Sequence, residues 1–216
     1  MAPALRITSV HCDRERYRDL LLLADEQWDM VELYLHRGEM FAAYAEDEPH
    51  TKADSALVAD RTLGCMIVTD EGVDGRGFRI AEVKSLAVDP AHQRGGVGRA
   101  LLEFAAQHAA REYDVLRVGT GDSPLTVPFY EACGFTRSHV LPNFFIENYD
   151  HPIVEAGVQL KDMVILERRL WLRKSRPASW VVAGVASRSA GLERPVRPFV
   201  RTGGYSLTVR NMQRRA

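Results

Sequence analysis

Residues 85–104 read SLAVDPAHQRGGVGRALLEF. Leu86, Ala87 and Val88 form an apolar, strand-favouring run that stops at Asp89-Pro90. A glycine-rich turn follows, Gln93-Arg94-Gly95-Gly96-Val97-Gly98, and an amphipathic helix begins at once, with Val97, Leu101, Phe104 and His108 on one face. Strand, turn and helix in that order bring unpaired backbone N–H groups and the positive end of a helix dipole to one point. Such a point is a seat for a phosphate or pyrophosphate. Two common phosphate loops fail on spacing. No G-x-x-x-x-G-K-[ST] loop occurs in the chain. A dinucleotide fingerprint read from Gly96 gives G-V-G-R-A-L, which puts Leu101 where a third small residue belongs, and Asp114 precedes the next strand instead of ending it.

The rest of the pattern alternates strands and helices. Strands are expected at 5–10, 40–45, 63–68, 78–88, 115–120, 135–140 and 162–172, and helices at 14–24, 28–37, 96–111 and 125–132. Gly38 and Gly134 stand where glycines end helices. Residues 46–60 (EDEPHTKADSALVAD) look like an inserted loop, TDEGVDGRG has turn composition, and an aromatic and acidic loop joins the last two strands. The class is mixed, α+β.

Hydrophobic residues are 46% of the 216 and charged residues 26%, which suits one globular domain with an appendage. Cys12, Cys65 and Cys133 are far apart, with no C-x-x-C pair, so neither a disulfide framework nor a zinc site is expected. The histidines have no ligand spacing, and no metal is expected. No secretory signal is visible, and apolar runs such as 20–24 are far short of the roughly 20 residues that span a bilayer, so a cytoplasmic protein without a membrane partner is expected. The net charge of −1 hides an asymmetry: residues 173–216 hold ten Lys/Arg against Glu193 alone, a charge of +9, which leaves −10 on residues 1–172. The basic stretch reads as an extension, flexible or packed on the acidic body, outside a domain at 1–172. No aromatic ladder or reading helix accompanies the charge, so no nucleic-acid partner is expected; salt-dependent DNA binding through this stretch is the alternative.

Gln93, Gly96 and Gly98 fit [Q/R]-x-x-G-x-[G/A], which resembles the acetyl-CoA pyrophosphate loop of the GNAT superfamily of N-acetyltransferases. A second stretch, Pro128-Phe129-Tyr130-Glu131-Ala132-Cys133-Gly134-Phe135, resembles the same family's F/L-Y-E-x-x-G-F signature, one helix and one strand further on. The resemblance covers residues 1–172. Residues 143–166 also look like the ending of a poorly characterised bacterial subgroup. The resemblance implies a central, mostly antiparallel, splayed sheet flanked by helices. It also implies acetyl-CoA as donor and direct attack by an amine in a ternary complex. A non-catalytic acyl-CoA-binding module is the competing reading. The family is often dimeric, which leaves a homodimer open.

The implied roles have physical reasons. Gly95, Gly96 and Gly98 admit the diphosphate to the main chain, and amides from Arg94 to Arg99, Val97 among them, donate charge-assisted bonds of about 1.5–3 kcal/mol each. Arg94 and Arg99 add positive charge. Leu86, Ala87 and Val88 are assigned main-chain contacts to the pantetheine arm. Tyr130 is the implied general acid: a phenol of pKa about 10 stays protonated at neutral pH and can supply the departing thiolate, whose pKa is about 8.5. Its bland alternative is an aromatic core anchor. Glu82, eleven residues before Gln93, stands in the register of the strand glutamate that serves as base. An alkyl ammonium of pKa about 10 is neutral on the order of 0.1% of the time at pH 7, a cost of about 4 kcal/mol that such a base offsets, directly or through water. Alternation puts Glu82, Lys84, Leu86 and Val88 on one face; the plain reading is a strand-end carboxylate paired with Lys84 or Arg79. Ser123 stands where many members carry a cofactor-holding Asn. The acceptor, a small-molecule or peptide amine, would meet the first two helices and the last loop, where Phe144, Phe145, Glu147, Tyr149, Asp150 and Glu155 suit a cation. A solvated acidic surface over core aromatics is the alternative.

Overall fold

A computed structural model describes residues 5–45 and 62–170. The expected 46–60 loop and the basic extension at 173–216 lie outside the described residues. In chain order the elements are β1 (Leu5–Val10), a 3₁₀ turn (Arg14–Tyr17) running into α1 (Arg18–Leu21), α2 (Trp28–Leu35), β2 (Glu39–Ala45), β3 (Gly64–Val73) and β4 (Arg79–Val88). A 3₁₀ turn (Pro90–His92), α3 (Val97–Ala109), β5 (Val115–Gly121), α4 (Thr126–Ala132) and β6 (Thr136–Leu141) follow. Last come α5 (Phe144–Asn148), the hairpin strands β7 (Val154–Glu155) and β8 (Val158–Gln159), and β9 (Met163–Arg169). Seven strands make one sheet in the order β1-β2-β3-β4-β5-β9-β6, antiparallel except for the β4–β5 pair. The mixed, mostly antiparallel architecture is the one expected.

Alternation along the strands makes a core on each face. Phe41, Met66, Val83, Leu116 and Leu166 pack with Leu101 and Leu102 of α3, while Met40, Ala42 and Ile67 pack with Tyr17, Leu21, Val31 and Leu35 from the first helices.

Two features of β4 position the site. First, Ile67 faces Ser85 but Val68 faces Val83, so Lys84 is an extra residue, a β-bulge. One extra residue inverts the alternation. Ala81 and Val83, then Leu86 and Val88, therefore all face the α3 core, and Ala87 faces the other. The expectation of Glu82, Lys84, Leu86 and Val88 on one face is thus corrected at the bulge. Second, β4 and β5 pair only from Ile80–Val115 to Val83–Val118. Beyond that point β4 continues along β3 as far as Val88–Gly64, and β5 along β9 as far as Gly121–Met163. The two parallel strands part, as the splayed sheet requires.

Other differences are local. The 14–24 helix is shorter than its apolar spacing suggests, because after Leu21 the chain tightens to i→i−3 bonds, from the Leu23 and Ala24 amides to the Leu20 and Leu21 carbonyls, each at 3.1 Å. Gly38 is not a left-handed helix cap; a Cβ there would stand 2.1 Å from the Val68 carbonyl oxygen, so close strand packing demands the glycine. β3 runs past residue 68 because Thr69 and Asp70 still pair with Glu82 and Ala81. The turn is made by Asp74, whose Oδ1 accepts from the Arg76 and Phe78 amides at 2.9 and 3.0 Å. The segment between β6 and β9, expected as plain loop, contains α5 and the β7–β8 hairpin. No helix of the described residues is long and apolar enough to cross a membrane.

Candidate active site

The turn after β4 is held from within. Asp89 Oδ1 accepts from the Ala91 amide at 2.8 Å and lies 3.1 Å from His92 Nδ1. Gln93 Nε2 donates back to the Val88 carbonyl at 3.3 Å, folding the turn onto the end of β4. Arg94 (φ 61°) and Gly96 (φ 91°) are both left-handed, which turns successive amides toward one side. No side chain caps α3; its first helical bond runs from the Ala100 amide to the Gly96 carbonyl, and the amides of Val97, Gly98 and Arg99 precede it.

The three glycines answer three constraints. Gly95 would bring a Cβ to 3.1 Å from the His92 carbonyl oxygen. Gly96 has open space but a left-handed backbone. Gly98 would bring a Cβ to 3.2 Å from the Phe129 ring and 3.5 Å from Val88 Cγ2, so it seats α3 against both β4 and α4. Val97, buried, anchors the turn in the core. Arg94 is exposed. Arg99 donates to the Ala132 carbonyl at 3.0 Å, placing its charge at the negative end of α4. Leu86, Ala87 and Val88 lie on the stretch of β4 that has left β5 and pair with Met66, Cys65 and Gly64 on the opposite side.

The Y-E-A-C-G-F run is a helix terminus with its own logic. The Phe135 amide bonds the Tyr130 carbonyl and the Gly134 amide bonds the Glu131 carbonyl, with Gly134 left-handed (φ 86°). That is a Schellman motif, and its customary apolar contact is Tyr130 against Phe135, rings 5.9 Å apart. Phe129 packs on Tyr130 from the other side at 5.1 Å. The Tyr130 ring is therefore fixed. Burial, with the Cys133 thiol and the Glu155 carboxylate nearby, pushes its phenol well above the ordinary tyrosine range. Ser123 is buried and accepts from the Leu125 amide at 3.1 Å, starting α4; one hydroxyl proton remains for donation.

Glu82 sits in the middle of β4, only 2% exposed. Its Oε1 accepts from Lys84 Nζ at 2.7 Å, and that ammonium also lies 3.5 Å from Glu71, which is held by Thr69 and Arg37. Arg79, the other partner considered, goes to Asp70 and Glu112.

The loop between β6 and β9 docks on the turn between α1 and α2. Tyr149 OH donates to Asp25 Oδ1 at 2.7 Å, Tyr34 OH donates to Asp25 Oδ2 at 3.1 Å, and the Asp150 amide bonds Gln27 Oε1 at 3.1 Å. Phe144 and Phe145 are buried against each other, and Phe145 stacks on Tyr149, so those aromatics serve as core. Glu155 accepts from Thr126 Oγ1 at 3.3 Å. Asp25 and Tyr34 escape sequence reading; the available hint was an acid closing an apolar helical run at residues 20–25. Among the described residues no group of three His, Cys, Asp or Glu is placed to hold a metal. A cleft of about 950 Å³ lined by Arg76, Glu103, Arg137, Glu167 and Arg168 contains none of these site residues, and its charges pair with one another or with neighbours.

Residues 41–137 match the model of the acetyltransferase (GNAT) domain. The chain is 32% identical over 164 residues to the uncharacterized N-acetyltransferase YvbK of Bacillus subtilis, covering 75% of this chain and 94% of that one. The chain belongs to the GNAT acetyltransferase family. Its fold is similar to that of a GNAT acetyltransferase from Elizabethkingia anophelis solved with acetyl-CoA bound (TM-score 0.65, 28% identity, 77% of this chain and 98% of that one). It is also similar to a Bacillus subtilis acetyltransferase solved with CoA (TM-score 0.64, 31% identity, 78% and 100%). In this GNAT protein Gly98 brings the glycine turn against Val88 of β4 and Phe129 of α4, and the Asp25 cluster joins the loop between β6 and β9 to Tyr34 of α2.

Burial raises the Asp25 carboxyl above the ordinary carboxylate range, ahead of the bonds from Tyr149 and Tyr34 that favour its ionised form. With the folded value raised, its contribution to stability is full below the unfolded value and is lost as pH rises through the folded one. Asp25→Asn, which does not ionise, should therefore gain melting temperature relative to the wild type as pH rises from about 4 toward 7. Thermal melts across that range check this, and a difference moving the other way would contradict the burial argument.

Proposed function

We propose that this GNAT protein transfers acetyl from acetyl-CoA to a primary amine by direct attack in a ternary complex. The parting of β4 from β5 beyond Val83 and Val118, leading straight into the left-handed turn and uncapped α3, carries the reading. The pantetheine arm would pair with the main chain of Leu86, Ala87 and Val88 along the edge that β5 has left. The diphosphate would meet the turn from Gln93 to Arg99, with Arg94, Gly95, Gly96, Val97 and Gly98 between them and the first-turn amides of α3 donating. Ser123 would offer its hydroxyl proton to the cofactor.

The amine nitrogen attacks the thioester carbonyl, the C–S bond breaks, and CoA leaves as thiol. Tyr130 supplies the thiol proton and regains one from the adduct nitrogen as the amide forms; its raised phenol stays protonated between turnovers throughout the working range. Glu82 receives the ammonium proton through a water, since its carboxylate is buried and shared with Lys84. A covalent acetyl-enzyme is disfavoured by the thiols. Burial pushes Cys65 up to about 12 and raises Cys133, which leaves little thiolate at either.

Tyr130→Phe should lower kcat by about a hundredfold or more while changing acetyl-CoA affinity far less. Glu82→Gln should cost a similar factor; an unchanged kcat in either variant removes that assignment. Gly96→Glu has room to fold, at a backbone cost of about 1–2 kcal/mol, but sets a carboxylate among the turn amides. Calorimetry should show CoA binding abolished, and retained affinity would sink the diphosphate seat.

A further inference from the structure

Asp25 differs from the other well-covered carboxylates of the domain. Glu71, Glu82 and Glu167 each face an Arg or Lys. Among the described residues Asp25 is bonded to neutral donors alone, the Tyr149 and Tyr34 hydroxyls and the Gln27 amide, and the charge beside it is the like charge of Glu26. Three neutral donors leave a carboxylate with acceptor capacity to spare, and a half-buried anion without a cation is an unmet demand.

The cluster is tied to the reaction centre. Tyr34 packs in the same core as Ala87, on the face of the sheet opposite α3, and its hydroxyl is directed to Asp25 beside Ser85. Ser85 is 4% exposed, and its hydroxyl is directed to the Tyr34 oxygen, favouring that phenol's ionised form. It is thus a second polar group at this spot, with its oxygen still able to accept. Ser85 lies on the part of β4 that has left β5; across the bulge it and Glu82 face Ile67 and Thr69, two residues apart on β3, a run of about 7 Å.

Resting on the amine-transfer reading, we propose that Asp25, positioned by Tyr34 and Tyr149, binds a second ammonium of the acceptor, so that the substrate class is a diamine or longer polyamine acetylated at the end near Glu82. A monoamine held near Glu82 leaves Asp25 without a cation; a diamine of extended length brings its far ammonium to Asp25. Direct attack is unchanged, since the distal ammonium keeps its protons and only the proximal nitrogen forms the amide.

The test compares 1,6-diaminohexane with 6-amino-1-hexanol, which replaces one ammonium by a hydroxyl. In kcat/KM the wild type should favour the diamine by about ten- to a hundredfold. Asp25→Asn and Asp25→Ser should bring that ratio near one. Tyr149→Phe, which keeps the carboxylate, should retain most of it. A purely structural Asp25 would slow both substrates together and leave the ratio standing. A wild-type ratio near one, or a ratio unmoved by both neutral variants, overturns the proposal. Calorimetric titration of the diamine into the CoA-bound protein reads the subsite without turnover. Binding that is lost in Asp25→Asn while no amine is acetylated would keep the subsite and sink the transfer reading. Equal binding of diamine and amino alcohol would sink the subsite whatever the turnover.

Discussion

β4 cannot keep its pairing with β5 beyond Val83, and the site is assembled around that constraint. Lys84 adds a residue to β4 at the point where the parallel pairing ends. A bulge raises local twist and bends its strand, so β4 leaves in one direction while β5 is drawn in another by seven consecutive pairs with β9. Two glycines in β5 accept that second partner: a Cβ on Gly119 would meet Met163 Sδ at 2.5 Å, and one on Gly121 would meet Leu160 at 2.3 Å. The side chains of Met163 and Leu160 thus lie close over the departing half of β5. Buried strand edges are costly when their N–H and C=O groups lack partners. An edge opened inside a sheet is therefore strong physical grounds for a peptide-like ligand such as pantetheine, which can restore the pairing.

The bulge carries a second consequence. Lys84 is displaced into a largely buried position, and a buried ammonium has to be paired. Glu82 and Glu71 supply the pairing, with Arg37 and Thr69 behind Glu71. Such pairs contribute little net stability, yet removing one partner costs about 3–5 kcal/mol because the other is stranded. Glu82 is thereby a member of the ion chain that tolerates the bulge, on the paired stretch just before β4 leaves β5. The structural demand and the proposed chemical one fall on the same residue, which is why sequence alone divides so evenly between the two.

What was legible in the chain was local. The turn at residues 93–98 announces itself because glycine spacing and helix onset lie within six residues. The Tyr130 motif reads as well because a Schellman terminus needs its tyrosine, glycine and phenylalanine at fixed offsets. Alternation alone does not place Leu86 and Val88 opposite Glu82, because a bulge is a property of pairing with β3, invisible in β4 itself. Gly38 reads as a cap in sequence, while its constraint is a carbonyl thirty residues away. Asp25 carries no sequence signal of its own because its partner Tyr149 stands 124 positions further on.

That division follows the chemistry of the two substrates. A donor bound by main-chain edges and helix amides needs few side chains, so its signature is a short run of small residues where the backbone must come close. An acceptor is distinguished by charge and shape, which only side chains supply, and in the proposed site they come from the α1–α2 turn, α2, β4 and the loop before β9. Each of those segments has to be brought in by the fold before its residue means anything. Asp25 illustrates the point: in the chain it is an acid after a leucine run, and in the fold it is an anion half-withdrawn from water that no cation meets among the described residues. Burying a carboxylate in that state works against stability, and the proposed cationic acceptor would supply the compensating interaction.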